Sequence, residues 1–130
     1  MNRADLIIVG GGPAGLTSAI YSARALVDTI VIEKMLPGGL PILTSFIENY
    51  PGFPDGISGP EFAERLEAQA RRFGAKIVTS QPVVEVSKVE DGFEVKTEGD
   101  SFWGKAVIIA TGTSPRKLGV PGEDTFTGRG

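Results

Sequence analysis

The sequence predicts an α/β protein with a mainly parallel sheet in a three-layer arrangement and an inserted three-stranded antiparallel meander. Three observations predict it. Short apolar runs, beginning with Leu6 to Val9, alternate with helical apolar stripes in the first 80 residues, and a glycine-rich turn follows the first run. Between residues 82 and 103 the apolar period changes to two, which is typical of half-buried antiparallel strands.

The glycine-rich turn leads directly into a predicted helix. Gly10, Gly12 and Gly15 stand in the frame G-x-G-x-x-G of a Rossmann-like unit. In that frame the glycines permit a tight turn, a close approach to a pyrophosphate and close helix–strand packing. Pro13 and Ala14 occupy the first helical turn, where free N–H groups and the helix dipole favour an anion. The turn therefore predicts a dinucleotide site.

Glu33 follows the predicted second strand, Thr29 to Ile32, and lies 18 residues beyond Gly15. An acidic side chain at about this distance accepts hydrogen bonds from ribose hydroxyls in dinucleotide sites. A glutamate at a strand end can also be a solvated charge. The glycine frame ahead of Glu33 favours the ribose role.

Residues 34–58 have no clear period, but their apolar content favours a functional loop over disorder. Gly38 and Gly39 allow backbone to approach a flat ring closely, and Asn49 offers a donor and an acceptor to the edge of such a ring. Alternatively, the loop is an apolar lid packed on the domain, with Asn49 capping a turn before Pro51. The spacing alone slightly favours the lid.

The second half continues the sheet. Ser58 predicts a helix N-cap, and the apolar stripe after it ends at Gly74. A short third parallel strand is predicted at 76–79. The alternation from 82 to 103, with a turn at Asp91-Gly92, predicts the antiparallel meander.

A separate, buried parallel strand is predicted at 105–111. Ala110, Thr111 and Gly112 then lie at the carboxyl edge of the sheet, where open α/β sheets bind ligands. From Ser114 onward the chain has proline, glycine and charge without a period, which predicts a linker leaving the domain.

Composition limits the function classes. The 130 residues have 41% hydrophobic and 22% charged side chains, as in one ordinary globular domain or part of one. A net charge of −3 gives no support to nucleic-acid binding, and no apolar run is long enough to span a membrane. The sequence has no cysteine and no histidine. We therefore expect a cytoplasmic protein with no metal site and no catalytic residue of its own.

Several motifs, in order and spacing, resemble bacterial thioredoxin reductase, of the pyridine nucleotide-disulfide oxidoreductase family. The likeness covers essentially the whole chain, and E-N-Y-P-G-F-P with A-T-G is far more specific than the glycine frame, which many NAD and FAD proteins share. The motifs are D-L-I-I-V-G-G-G-P-A-G at 5–15, I-E-K at 32–34, P-G-G at 37–39, E-N-Y-P-G-F-P at 48–54, S-G-P-E-F at 58–62 and I-I-A-T-G-T-S-P-R-K-L-G-V-P-G-E at 108–123.

The resemblance implies FAD, rather than NAD, in the glycine-loop site, and it favours the flavin role of Asn49 over the lid. The residues it implies are Gly10, Gly12, Pro13, Ala14 and Gly15 around the pyrophosphate, Glu33 at the adenosine ribose, Lys34, Gly38, Gly39 and Leu40 along the ligand, Asn49 at the flavin ring, Val83 or Val84 at adenine through the backbone, and Ala110, Thr111 and Gly112 over the cofactor.

Two departures from the family pattern stand out. Leu40, followed by Pro41, replaces a glutamine that contacts the flavin in the family, and leucine cannot make that hydrogen bond. The sequence also stops before the family's NADPH domain, its C-x-x-C pair and its C-terminal G-D motif. We expect residues 1–115 to be a FAD-binding domain without its C-terminal completion, and residues 116–130 to be a linker toward an NADPH domain.

In a complete relative, the resemblance implies that NADPH reduces FAD and that FAD passes electrons to a cysteine pair, which serves thioredoxin or a similar disulfide protein. Three alternatives remain: a stand-alone FAD- or ADP-binding module, a folded remnant that holds no nucleotide, and a fragment similar to ferredoxin–NADP reductase. An incompletely covered sheet predicts a homodimer or aggregation unless FAD fills the crevice.

We expect no reduction of thioredoxin by NADPH with this polypeptide alone, because it has no thiol and only one glycine frame. The measurement is NADPH consumption in the presence of FAD and thioredoxin, with free FAD as the control. Turnover at the rate of a complete reductase would contradict the expectation.

Overall fold

The computed structural model describes residues 2–129 and contains one six-stranded mixed sheet with helices packed on it. The strand order is β3-β2-β1-β6-β5-β4; the first four strands are parallel, and β5 and β4 are antiparallel to their neighbours. The elements are β1 (Asn2–Val9), α1 (Pro13–Arg24), β2 (Thr29–Ile32), a 3₁₀ helix (Leu40–Leu43), α2 (Gly59–Arg72), β3 (Lys76–Val78), β4 (Val83–Val89), β5 (Gly92–Thr97), β6 (Ser101–Ile109) and α3 (Glu123–Phe126). The predicted α/β class is confirmed.

The two faces of the sheet carry separate apolar clusters, because neighbouring side chains on a strand point to opposite faces. Ile8 and Val31 pack with Leu16 of α1 and Ala70 of α2 on the helix side. On the other side a second cluster joins the parallel and antiparallel parts of the sheet; it consists of Ala4, Ile7, Val9, Ile30, Ile32, Val95 and Phe102. None of the helices within residues 2–129 has the length and apolar content to cross a lipid bilayer.

The start of α1 lies unusually close to the end of β1. Gly12 is the N-cap and Pro13 the first helical residue, as the glycine frame predicts. A Cβ atom at Gly15 would overlap the carbonyl oxygen of Gly10, and a Cβ at Gly10 would overlap the carbonyl oxygen of Ala110. Gly10 also has φ +107°, which side chains other than glycine rarely adopt. The ends of β1 and β6 and the start of α1 therefore meet through backbone alone.

Helix α2 begins as its sequence predicts. The Ser58 side chain accepts a hydrogen bond from the Glu61 backbone N–H at 3.3 Å. The Glu61 carboxylate does not complete a capping box but pairs with Arg65 one turn later, at 2.6 Å. Phe73 is the C-cap, and Gly74 follows with φ +99°.

The last strand differs from the sequence prediction. The expected third meander strand and the expected separate strand at 105–111 form one continuous strand, β6. Its first half pairs with β5, and from Phe102 to Ile109 it also pairs with β1. Gly104 resembles a break in the sequence, but it lies where a Cβ would crowd the Ile7 side chain at 2.9 Å, so it permits a close approach within a strand.

The carboxyl end of β6 is also less buried than its apolar run predicts. Ile109 is 60% exposed and Ile108 36% exposed. An apolar run on a strand is suited to burial on both faces of the sheet. No element within residues 2–129 covers this end of β6.

The segment between the 3₁₀ helix and α2 packs on the domain only in part. Ile47 and Ile57 form an isolated antiparallel bridge, and Tyr50 packs on Phe62 of α2 with ring centroids 4.6 Å apart. Phe46, in contrast, is exposed although it lies against Gly56.

We expect Gly15→Ala to lower the free energy of unfolding by about 2 kcal/mol, because the new methyl group overlaps the Gly10 carbonyl oxygen. The loss occurs although alanine has a higher helix propensity than glycine by about 1 kcal/mol. Urea unfolding followed by circular dichroism measures the change. Gly99→Ala is the matched control, because nothing lies within 4 Å of a Cβ there. Equal stability of the two variants would contradict the close contact at Gly15.

Candidate functional site

A cavity of about 650 Å³ opens at the carboxyl edge of the parallel strands. Gly10, Glu33 and Ala110 directly follow β1, β2 and β6, and all three line it. This is the edge at which open α/β sheets bind ligands. The remaining lining residues are Gly12, Pro13, Ala14, Lys34, Met35, Leu36, Gly39, Leu40, Pro41, Ile42, Leu43, Thr111, Gly112, Thr113, Ser114 and Pro115.

The glycine loop presents bare backbone to this cavity. No side chain caps the N-terminus of α1, so the N–H groups of its first turn have no intrahelical acceptor. A Cβ at Gly12 would meet only the Gly39 Cα, at 3.8 Å. Unlike Gly10 and Gly15, Gly12 is therefore not required by packing; its missing side chain leaves open space above the helix N-terminus, which suits an anion.

Glu33 is a buried carboxylate, only 8% exposed, at the end of β2. Its Oε2 accepts a hydrogen bond from the Gly11 N–H at 2.7 Å, and its Oε1 accepts one from the Met35 N–H at 3.0 Å. A carboxylate has about four acceptor positions, so two remain for other donors. Glu33 therefore fixes the glycine loop and keeps capacity to accept hydrogen bonds from a ligand.

A second cavity of about 150 Å³ adjoins the first and shares Gly10, Glu33, Lys34 and Thr111 with it. Glu33 thus contributes to both cavities. The other residues of the smaller cavity are Val9, Ile32, Gln81, Pro82 and Val83.

Most of the expected site residues lie together. Gly15 and Gly38 serve packing: Gly15 lies within α1 against the Gly10 carbonyl oxygen, while the Gly38 N–H donates to the Gly11 carbonyl oxygen at 2.7 Å. Asn49 and Val84 are exposed and line neither cavity. The larger cavity includes Gly10, Gly12, Pro13, Ala14, Glu33, Lys34, Gly39, Leu40, Ala110, Thr111 and Gly112, and the smaller one includes Val83.

Of one wall of the larger cavity, the sequence analysis expected only Leu40 to contact the ligand. This apolar wall consists of Met35, Leu36, Leu40, Pro41, Ile42 and Leu43. Leu43 is 82% exposed and Leu36 69% exposed. The available signal was the run of large apolar residues without a period on both sides of Gly38 and Gly39, because such side chains need a surface to pack on. Gln81, Pro82 and residues 113–115 were also missed.

Comparison with known proteins agrees with this geometry. Residues 4–130 match the family model of pyridine nucleotide-disulphide oxidoreductases. The chain is 43% identical over 129 residues to thioredoxin reductase of Listeria monocytogenes, covering 97% of this chain and 39% of that protein. It is 44% identical over 127 residues to thioredoxin reductase of Streptomyces coelicolor, again covering 97% and 39%. The chain thus spans about two fifths of the length of these curated relatives.

Solved structures give the same result. The crystal structure of T. acidophilum thioredoxin reductase has a TM-score of 0.90 at 37% identity, covering 100% of this chain and 42% of that one. Lactococcus lactis thioredoxin reductase has a TM-score of 0.88 at 38% identity, covering 98% and 41%. Because the family model matches nearly every residue and the glycine loop has the expected geometry, this chain belongs to the pyridine nucleotide-disulphide oxidoreductase family.

Proposed function

We propose that this chain is the FAD-binding part of a flavoprotein similar to thioredoxin reductase. The observation that carries the proposal is the larger cavity, which combines an uncapped helix N-terminus, a buried acceptor and an apolar wall in one space of about 650 Å³. A flavin dinucleotide needs these three surfaces, for its two phosphates, a ribose and a flat ring system.

The phosphates bind at the start of α1. The N–H groups of Ala14 and Gly15 donate to phosphate oxygens, and the bare Cα of Gly12 lets the pyrophosphate approach the backbone. The two remaining acceptor positions of Glu33 take the hydroxyl groups of the adenosine ribose. Lys34 and residues 110–112 border the same space and complete the binding surface.

The apolar wall takes the flavin ring, and Leu40 contributes contact area rather than a hydrogen bond. When bound, FAD supplies the electron-transfer chemistry, while the protein positions the ring and excludes water from one side of it. Asn49 stays a candidate partner for the ring edge, since its loop directly follows the 3₁₀ helix that forms part of the wall.

The full electron path is proposed from the relatives. Their names identify thioredoxin reductases, and in such a protein electrons pass from NADPH through FAD to a disulfide and on to thioredoxin or a similar protein. This chain has no cysteine, so its own role is to hold FAD. We assign residues 1–115 to FAD binding and residues 116–130 to a linker, and we expect a cytoplasmic homodimer.

A stand-alone ADP-binding module is the second candidate. The positions expected at the pyrophosphate and ribose line the larger cavity and Val83 lines the smaller one, whereas Asn49, expected at the flavin ring, lies outside both. Flavin absorbance at about 450 nm after purification and desalting favours the FAD-binding proposal. Calorimetric binding of ADP without retention of FAD favours the ADP module.

We expect excess FAD to raise the melting temperature. At about 100 times its Kd, FAD should increase the free energy of unfolding by about 2.7 kcal/mol. Gly12→Ala tests the site, because the methyl group fits the free protein but occupies the phosphate position. We expect this variant to unfold within about 1 kcal/mol of the unchanged chain and to bind FAD at least about tenfold more weakly. Differential scanning fluorimetry and calorimetry measure the two quantities.

Gly99→Ala is the control for this test, since it adds a methyl group in open space far along the sequence from the glycine loop. The proposal fails if FAD leaves the melting temperature of the unchanged chain where it was. Equal FAD affinity of Gly12→Ala and Gly99→Ala would contradict the proposed position of the pyrophosphate at the glycine loop.

Glu33→Gln should lower both stability and nucleotide affinity. In the native protein, two backbone N–H groups donate hydrogen bonds to the two carboxylate oxygens. In the variant an NH₂ group replaces one of these oxygens, so one buried N–H donor loses its acceptor. We expect a loss of about 1–3 kcal/mol in the free energy of unfolding. Glu64→Gln on the exposed face of α2 is the matched control. Unfolding and ADP titration indistinguishable from this control would refute both roles of Glu33.

A further inference from the structure

Gln81 and Glu33 both line the smaller cavity. The Gln81 backbone N–H donates to the Glu33 carbonyl oxygen at 3.0 Å, and Pro82 and Val83 continue the cavity wall. The base of a nucleotide is attached directly to its ribose, so a ribose at the Glu33 carboxylate puts the base beside this cavity. About 150 Å³ is a volume that accepts a single aromatic ring system.

Thr97 holds the Gln81 side chain, and its hydroxyl also lies 3.1 Å from the Asp100 carbonyl oxygen. The Gln81 Oε1 accepts a hydrogen bond from the Thr97 Oγ1 at 2.7 Å, and Thr97 is only 7% exposed. Thr97 is itself held, because its Oγ1 accepts from the Asp100 N–H at 3.0 Å. With Oε1 occupied, the Gln81 carboxamide has two N–H donors on Nε2, and no group within residues 2–129 accepts from them.

Two backbone irregularities flank this residue. Ser80 has φ +56°, an uncommon conformation for a residue other than glycine. On the other side, the register between β4 and β5 shifts between Val83 and Glu85, which leaves Val84 as a bulge. Such irregularities cost stability and redirect side chains, and they cluster at ligand sites. Here the positive φ of Ser80 and the bulge at Val84 flank residues 81–83, which line the smaller cavity.

We propose that Gln81 recognises the adenine base of the bound nucleotide, with its Nε2 donating a hydrogen bond to a ring nitrogen in the smaller cavity. The inference rests on the proposed function, because it requires the diphosphate at the glycine loop. The resemblance to thioredoxin reductases assigned this contact to backbone at Val83 or Val84. Gln81 adds a side chain that determines specificity, and Thr97 positions it.

The test compares ADP with ribose 5-diphosphate, which has the same diphosphate and sugar but no base. Gln81→Glu keeps an oxygen for Thr97 and replaces only the NH₂ donor, while Gln81→Leu removes the amide without adding charge. We expect each variant to reduce the ratio of the ADP to the ribose 5-diphosphate association constant by about three- to tenfold. Repulsion between a new carboxylate and the diphosphate acts on both ligands and cancels in the ratio.

Gln69→Glu and Gln69→Leu, on an exposed position of α2, are the matched controls and should leave the ratio unchanged. Ribose 5-diphosphate binding by each variant also reports that the site is folded. If the unchanged chain binds neither ligand, the proposed function fails, and the inference with it. If the unchanged chain binds ADP but both Gln81 variants keep its ligand ratio, only the role of Gln81 is overturned.

Discussion

The site depends on one steric constraint, the contact of three backbone segments at Gly10. The carbonyl oxygen of Gly10 fills the space where Gly15 has no side chain, and Gly10 itself lies against the Ala110 carbonyl. This contact sets where α1 starts relative to β1, and it brings the end of β6 to the same point. The direction of the first-turn N–H groups, and hence the position available to an anion, follows from backbone packing and needs no ligand.

Glu33 gives this backbone arrangement a second support. A buried carboxylate is costly unless hydrogen bonds compensate it, and here the Gly11 and Met35 N–H groups donate to its two oxygens. The same carboxylate therefore closes the glycine loop on one side and joins the two cavities on the other. Because hydrogen bonds already hold the loop in the free protein, binding of the proposed nucleotide would cost little ordering of the loop, which is the general advantage of a preorganised site.

The parts of the fold and site that are local in sequence were predictable. The glycine frame, Ser58 and Gly74 each specify a turn or cap within a few residues, and all three have the expected geometry. The continuity of β6 was not predictable in this way, because Gly104 resembles a break and only its close approach to Ile7 on another strand explains it. Gln81 was missed for the same reason: its role depends on Thr97, sixteen residues away across a strand pair.

The apolar wall links the stability of the free protein to the binding of its proposed ligand. Met35, Leu36 and Leu43 are each more than two thirds exposed, although they belong to a connection between buried elements. Burial of apolar surface stabilises a protein by about 25 cal/mol for each Å² removed from water, and these exposed side chains do not contribute that free energy. The proposed flat ring would recover this free energy only in the folded chain, because four of the six wall residues form the 3₁₀ helix, which is held against α2. That support is itself a backbone contact, since a Cβ at Gly59 would overlap the Pro41 carbonyl oxygen. Glycine thus positions the apolar half of the cavity as it positions the phosphate half, and ring binding and folding of residues 40–59 are thermodynamically linked.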